Sequence, residues 1–352
     1  MTEGLNVLIT CIGGFYGLDT IEALKSDKEL DVRVFGVDSD ETVVNRYFAD
    51  SFSVVPSAES HPDDFVEALL SLCNEFSIGA VIPGSDEEAY ALSKAKSDFN
   101  QIGTECAVQD LGTMELIRDK LLFFQKISNE KFGIPKFADV SVVEDIKTAA
   151  SRLGYPKRRI ILKPRVGRGA RGLIVIDENV VRPSHGTESR GYWLGNLESA
   201  VDMLEEKDQP LNLIGMEFLS GDIYDVDCLS NSGEPIYIVP RRRLWDTPFS
   251  RGIEGHVIEH NQEIIDITSK IVRALKLSYA FDCDFGTFEG GAPGVLEVNP
   301  RWSGSVAASR AAGVNIPALL ARDLMGLPLP DLKVMHGAKT VSYTHLTLPT
   351  KA

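Results

Sequence analysis

The segment Val295-Leu296-Glu297-Val298-Asn299-Pro300-Arg301 alternates apolar and polar side chains. Successive strand residues face opposite sides, so Glu297 and Asn299 share one face while Leu296 and Val298 turn toward the core. Upstream, Phe281-Asp282-Cys283-Asp284-Phe285 has apolar odd positions and acidic even ones, and Glu289-Gly290-Gly291-Ala292-Pro293-Gly294 is rich in turn formers. Pairing the two strands brings Asp284 opposite Glu297. Asp284, Glu297 and Asn299 then offer hard oxygen donors that suit Mg²⁺, with Mn²⁺ as an alternative, and Arg301 lies one step beyond. A hairpin with a solvated acidic face satisfies the same pattern, so this segment alone leaves both readings open.

A second chemical signal lies far upstream. Residues 157–171 hold seven lysines and arginines and no acid, in a chain whose net charge is -15. Ile160-Ile161-Leu162-Lys163 reads as a short strand opening into Pro164-Arg165-Val166-Gly167-Arg168-Gly169-Ala170-Arg171-Gly172. Such glycines let the backbone aim N–H groups at phosphate oxygens, while Lys163 supplies a compact charge. No Gly-Lys-Ser/Thr follows, so this is not a Walker loop. A basic surface loop is the competing reading.

Around these signals the chain divides by pattern. Strand and helix alternate from Asn6 to Phe99, which predicts a parallel sheet with helices on its faces. Gly13-Gly14-Phe15-Tyr16-Gly17 follows the first strand and Asp38 ends the second, an incomplete dinucleotide-binding pattern that a tight turn explains equally well. Leu116, Ile117, Leu121, Phe124 and Ile127 form one apolar stripe of a predicted helix, with Lys120 beside it. Helices are expected over 143–153 and 197–206, strands over 160–163 and 173–176, and the polar stretch 177–196 reads as a loop or insertion. Arg241 and Arg243 share one strand face and are candidates to grip a substrate carboxylate or phosphate. Ser303-Gly304-Ser305 precedes a small-residue helix and is a candidate anion site. His256-Val257-Ile258-Glu259-His260 spells a zinc-peptidase order, but Asn261 reads as a helix cap, so the run is expected to be extended and Glu259 to face away from both histidines.

The order of these motifs resembles the ATP-grasp superfamily, nearest to ligases similar to the carbamoyl-phosphate synthase large chain. The resemblance implies an α/β and α+β architecture with an N-terminal Rossmann-like domain (1–112), a lid module (113–215) and a C-terminal module (216–340). It also implies phosphate binding by Lys120 and Lys163 with Gly167, Gly169 and Gly172. The hinge Met216-Glu217-Phe218-Leu219 would hold adenine through its backbone. Glu217, or secondarily Asp222, would reach the ribose, because Ile223 stands where the family carries a second glutamate. Metal binding falls on Asp284, Glu297 and Asn299, and phosphate contact on Arg301. The activity implied is ATP-dependent joining of a carboxylate to an amine or thiol through an acylphosphate. An ATP-binding scaffold without turnover and an NAD-dependent oxidoreductase are the rivals.

Composition fits this reading. With 352 residues, 43% hydrophobic and 25% charged, the chain is ordinary for a globular protein. Its acidity argues against nucleic acid and anionic membrane as partners. No apolar run reaches membrane-span length, the five cysteines have no metal or redox spacing, and a cytoplasmic location with buried reduced thiols is expected. Small-molecule carboxylate and amine substrates, with a homodimer allowed, complete the expectation. Residues 341–352 resemble a translated adapter more than native sequence and are expected to pack poorly.

Overall fold

The computed structural model describes residues 4–340, apart from 15, 131, 168–170, 186–191, 208 and 245–254. Gly169 and the tail 341–352 therefore lie outside the described residues. Three sheets organise the described residues, of five, six and six strands.

The first sheet contains β1 (Leu5–Ile9), β2 (Val32–Asp38), β3 (Ser51–Val54), β4 (Ala80–Ile82) and β5 (Glu105–Cys106), in the order β3-β2-β1-β4-β5. All its pairings are parallel. Helices α1 (Gly17–Ser26), α2 (Pro62–Glu75) and α3 (Asp86–Gln101) make the crossovers, as the alternating pattern predicted. The order reverses direction between β1 and β4, where open parallel sheets form a crevice beyond their strand ends.

The predicted apolar-stripe helix is two helices, α4 (Leu111–Arg118) and α5 (Lys120–Ile127). Asp119 breaks it. Its carboxylate accepts from the backbone N–H groups of Leu121 and Leu122, a capping role that an acid at a helix start fills well. The stripe survives the break, with Ile117, Leu121, Phe124 and Ile127 buried.

The second sheet holds β6 (Phe137–Val140), β7 (Ile160–Pro164), β8 (Ile174–Ile176), β9 (Ser184–His185), β10 (Trp193–Gly195) and β11 (Leu213–Glu217), ordered β6-β11-β7-β8-β10-β9. It carries α6 (Val143–Leu153) and α7 (Leu197–Glu205). Buried residues between Val140 and Leu213 form an apolar core belonging to this unit. The stretch read as a loop, 177–196, contributes β9 and β10, whose Trp193 is buried. The module boundary expected at 215 falls inside β11.

The third sheet contains β12 (Ile223–Asn231), β13 (Glu234–Arg243), β14 (His256–Ile258), β15 (Tyr279–Thr287), β16 (Pro293–Asn299) and β17 (Lys339–Thr340), ordered β16-β15-β12-β13-β14-β17. Helix α8 (Gln262–Leu275) packs on one face through Ile264, Ile267, Ile271, Val272 and Leu275. Its cap is Asn261, and the preceding His256–Ile258 is a strand, so the zinc-peptidase order has no helical basis. The small-residue helix is short, α9 (Ala307–Ala311), and is followed by α10 (Ile316–Leu324). One core cluster joins α2, α3 and α4 to α8 and the third sheet, and another joins β1 and α1 to α9 and α10. The first and third sheets are thus packed together on two fronts.

Candidate active site

The hairpin read from the sequence is present. β15 and β16 pair antiparallel with Asp284 opposite Glu297 and Asp282 opposite Asn299. The register shifts after Asp284, so that Phe285 pairs with Val295 and Leu296 is the extra residue of a bulge. The Leu296 carbonyl accepts a hydrogen bond from Lys163 Nζ at 3.3 Å.

That contact spans the two distant signals. Lys163 sits on β7, and the loop after it carries Gly167 and Gly172. Gly172 has a positive φ of 73°, and a Cβ there would lie 3.0 Å from Pro164, so both backbone and space call for glycine. Lys120 starts α5 and is buried; its Nζ donates to the Gly167 carbonyl at 2.8 Å and lies 3.3 Å from Glu297 Oε2. One ammonium therefore ties the glycine loop to the metal-type strand. Asp119 supports it from behind, pairing with Arg165 through contacts of 2.6–3.1 Å while the Lys120 N–H donates to the Arg165 carbonyl.

The charges are strongly interdependent. Burial pushes the Glu297 carboxyl up, but Lys120 and Lys163 outweigh it and hold it down at about 2. Burial pulls Lys163 down to about 8, against the upward pull of Glu297 and with Lys120 adding to the fall. Lys163 is thus cationic below about pH 8 and loses its charge above it, before any ligand binds. Phosphate affinity of the unliganded chain is expected to weaken as pH rises through about 8, read from nucleotide titrations between pH 7 and 9. An affinity that stays flat over that range in wild type would contradict the phosphate contact expected of Lys163.

Beside Asp284 lies a set of side chains that the sequence reading did not assemble. Asp225 on β12 pairs in register with Asp284, and Asp225, Asp282 and Asp284 bring carboxylate oxygens within 4.8 Å of one another. Asp225 is buried and gripped by Arg243, with Nε at 3.1 and 3.2 Å from its two oxygens, and by His256 Nε2 at 2.6 Å. Burial opposes its ionisation, but Arg243 and His256 hold it well below the usual carboxylate range. Asp282 and Asp284 move the other way: burial, then neighbouring aspartates, push both up. Asp282 Oδ1 is buried with no hydrogen-bond partner among the described residues.

Arg241 and Arg243 do share a face, but their surroundings differ. Arg241 is fully buried, its Nη1 donating to the Ser305 carbonyl at 3.1 Å and hydroxyl at 2.7 Å and its Nη2 to Asp227 at 3.0 Å. The expectation that it grips a substrate is corrected on this ground: no surface remains for a ligand. Arg243 keeps 16% of its side chain exposed, 3.8 Å from Asp284. Glu217 is likewise occupied, accepting from the Lys136 N–H at 3.2 Å and pairing with Arg158 at 2.9 Å, whereas Asp222 is about half exposed. Of the two ribose candidates Asp222 is the more accessible. Met216 is buried on β11, and Phe218 and Leu219 follow the strand end, with Arg159 over the Phe218 ring at 5.8 Å. Ser303 and Ser305 are buried and hydrogen-bonded to each other at 2.9 Å, which explains that run by packing.

Arg301 reaches the N-terminal unit, its Nε 3.0 Å from Asp86 Oδ1. A cavity between the units is lined by Asp86, Arg118, Lys120, Gly167, Glu297 and Asn299. The signal for Asp86 was the run Ser85-Asp86-Glu87-Glu88 at a strand end, which reads first as a helix start. The donor set fits a hard divalent cation: Asp284, Glu297 and Asn299 sit on neighbouring strand positions, and the orphaned Asp282 oxygen lies beside them.

Comparisons with known proteins agree with this architecture. Residues 209–347 match the family "ATP-grasp in the biosynthetic pathway with Ter operon", and residues 7–107 match "PylC-like, N-terminal domain". The carbamoyl phosphate synthase large chain of Methanothermobacter thermautotrophicus is 27% identical over 246 residues, which are 66% of this chain and 21% of that protein. The chain thus spans about a fifth of the length of the curated relatives it matches. N5-carboxyaminoimidazole synthetase from Staphylococcus aureus superposes with a TM-score of 0.69 at 17% identity, covering 96% of this chain and 82% of that one. Biotin carboxylase from Campylobacter jejuni gives 0.70 at 15%, covering 94% and 73%. The chain thus carries an ATP-grasp domain match behind a PylC-like N-terminal domain match, and it shares the fold of these ATP-grasp enzymes, in line with the resemblance that the order of its motifs showed. No helix among the described residues is long and apolar enough to cross a membrane.

Proposed function

We propose that the chain is an ATP- and Mg²⁺-dependent ligase joining a small-molecule carboxylate to an amine or thiol. In this reading the γ-phosphoryl group of ATP passes to a carboxylate oxygen, leaving ADP and an acylphosphate. The nucleophile attacks the acyl carbon and phosphate departs. What supports it most is the position of Lys120, which bridges the Gly167 carbonyl and the Glu297 carboxylate and so draws a phosphate-type loop and a metal-type strand around one cavity.

Roles follow from the contacts. Lys120, Lys163 and Arg301 neutralise charge on the transferring phosphoryl group. Asp284, Glu297 and Asn299 hold Mg²⁺, or Mn²⁺ in its place, and that ion supplies further charge neutralisation at the phosphates. Arg243, fixed by Asp225, faces the substrate carboxylate. The hinge 216–219 receives adenine through its backbone, and Asp222 is the ribose contact. Gly167 and Gly172 shape the loop that closes over the phosphates and keeps water from the acylphosphate. We place the enzyme in the cytoplasm, working alone or as a homodimer.

The oxidoreductase alternative loses ground on one contact. Asp38, the residue needed for a ribose, already accepts the Gly13 N–H at 2.8 Å and caps the turn that would approach a pyrophosphate. A scaffold without turnover is separated from a ligase by an ADP-release screen with pooled carboxylates, amines and thiols, followed by the product mass. Release dependent on both a carboxylate and a nucleophile is expected. NAD binding without ATP binding would sink the ligase reading.

A further inference from the structure

We propose that Asp86, the first residue of α3 in the N-terminal unit, is a positioning residue that sets Arg301 for the terminal phosphate of the nucleotide. The inference rests on the nucleotide reading above and adds to it a residue from outside the two ATP-grasp sheets. Arg301 Nε lies 3.0 Å from Asp86 Oδ1, with 17% and 19% of the two side chains exposed. Arg301 Nη1 donates to the Trp302 carbonyl at 2.9 Å. Two of the three guanidinium nitrogens are thereby engaged.

Placement distinguishes this pair from an ordinary ion pair. Asp86 lines the same cavity as Lys120, Gly167, Glu297 and Asn299. A carboxylate in a cavity built for phosphates repels the ligand unless it serves the cation beside it. The helix start fixes it there: Ser85 Oγ accepts the Glu88 N–H and holds the first turn of α3. Asp86 Oδ1 is buried and accepts no aligned hydrogen bond, so the contact with Arg301 is an attraction of charges. Its charge, more than its shape, is then what holds the arginine, and the isosteric Asp86→Asn change isolates that charge.

The test titrates Mg²⁺ complexes of ADP and of the non-hydrolysable β,γ-imido analogue of ATP into wild type, D86N, D86E, R301A and the D86N/R301A double variant. D86N is expected to weaken the triphosphate analogue about tenfold while ADP affinity stays within about twofold, since only the terminal phosphate loses its arginine. D86E, which keeps the charge, is expected to recover most of the loss. The double variant should bind the analogue no more weakly than R301A, because both changes remove one interaction. Equal losses for the two nucleotides, additive losses in the double variant, or tighter analogue binding by D86N would each overturn the proposal while leaving the nucleotide reading intact. Wild type binding neither nucleotide would overturn both. Thermal melting of each variant separates these outcomes from unfolding, and a D86N that fails to fold leaves D86E against R301A to decide on the same two affinities.

Discussion

Glu297→Gln is expected to lower nucleophile-dependent ADP release by about 10²- to 10³-fold, the range found when one preorganised electrostatic group is removed from a transition state. Three consequences of the change act together. The metal site loses one of its two carboxylates, and a neutral amide oxygen is a much poorer donor for a hard divalent cation. Lys120, 3.3 Å from Glu297, loses the partner that aligns it across the cavity. Lys163, whose charge Glu297 supports against burial, moves further toward the neutral form. Glutamine matches glutamate in size and the position is partly exposed, so the fold is expected to persist, read as an unchanged cooperative unfolding transition. Turnover that survives in a folded variant would show that the metal does not bind at this strand.

Much of this was legible in the sequence because alternation in strands is a local signal. The opposition of Asp284 and Glu297 required only two strand patterns and a turn, and the register bears it out. The helices expected over 143–153 and 197–206 are present as Val143–Leu153 and Leu197–Glu205. What stayed hidden depended on neighbours brought in from afar. Asp225 and Asp227 alternate in Tyr224-Asp225-Val226-Asp227 as clearly as the acids of β15, but their meaning depends on Arg241 and Arg243 arriving on the next strand. The arginines looked like ligand-binding groups because sequence carries no information on burial of a charge, and only pairing across β12 and β13 shows that Arg241 is consumed by its own sheet. The break at Asp119 was missed for a related reason. An apolar stripe continues smoothly across it, while the cap that stops α4 and starts α5 is reinforced by Arg165 from another element. Asp86 was not singled out in the sequence, because its contact with Arg301 joins residues 215 positions apart.

The largest effect on stability is expected at Arg241. Its guanidinium is fully buried and lies between Asp227 at 3.0 Å and Asp282 at 3.9 Å, on a sheet face that also holds Asp225 and Asp284. Arg241→Ala would leave Asp227 and Asp282 without this guanidinium and remove one donor from each of two buried Ser305 oxygens. Truncating one partner of a buried ion pair typically costs about 3–5 kcal/mol, because the other charge stays buried and uncompensated. Total stabilities are only about 5–15 kcal/mol, so a loss of this size is a large share. Arg241→Lys keeps the charge but not the fork, and is expected to lose less. Adding Asp227→Asn to Arg241→Ala should recover part of the loss, since one uncompensated charge is removed, but not all of it, since Asp282 remains. Urea unfolding midpoints compared at constant m-value measure these differences. A loss below about 1 kcal/mol for Arg241→Ala, with activity gone, would mean that Asp227 does not depend on this arginine, and would return Arg241 to the residues that touch substrate.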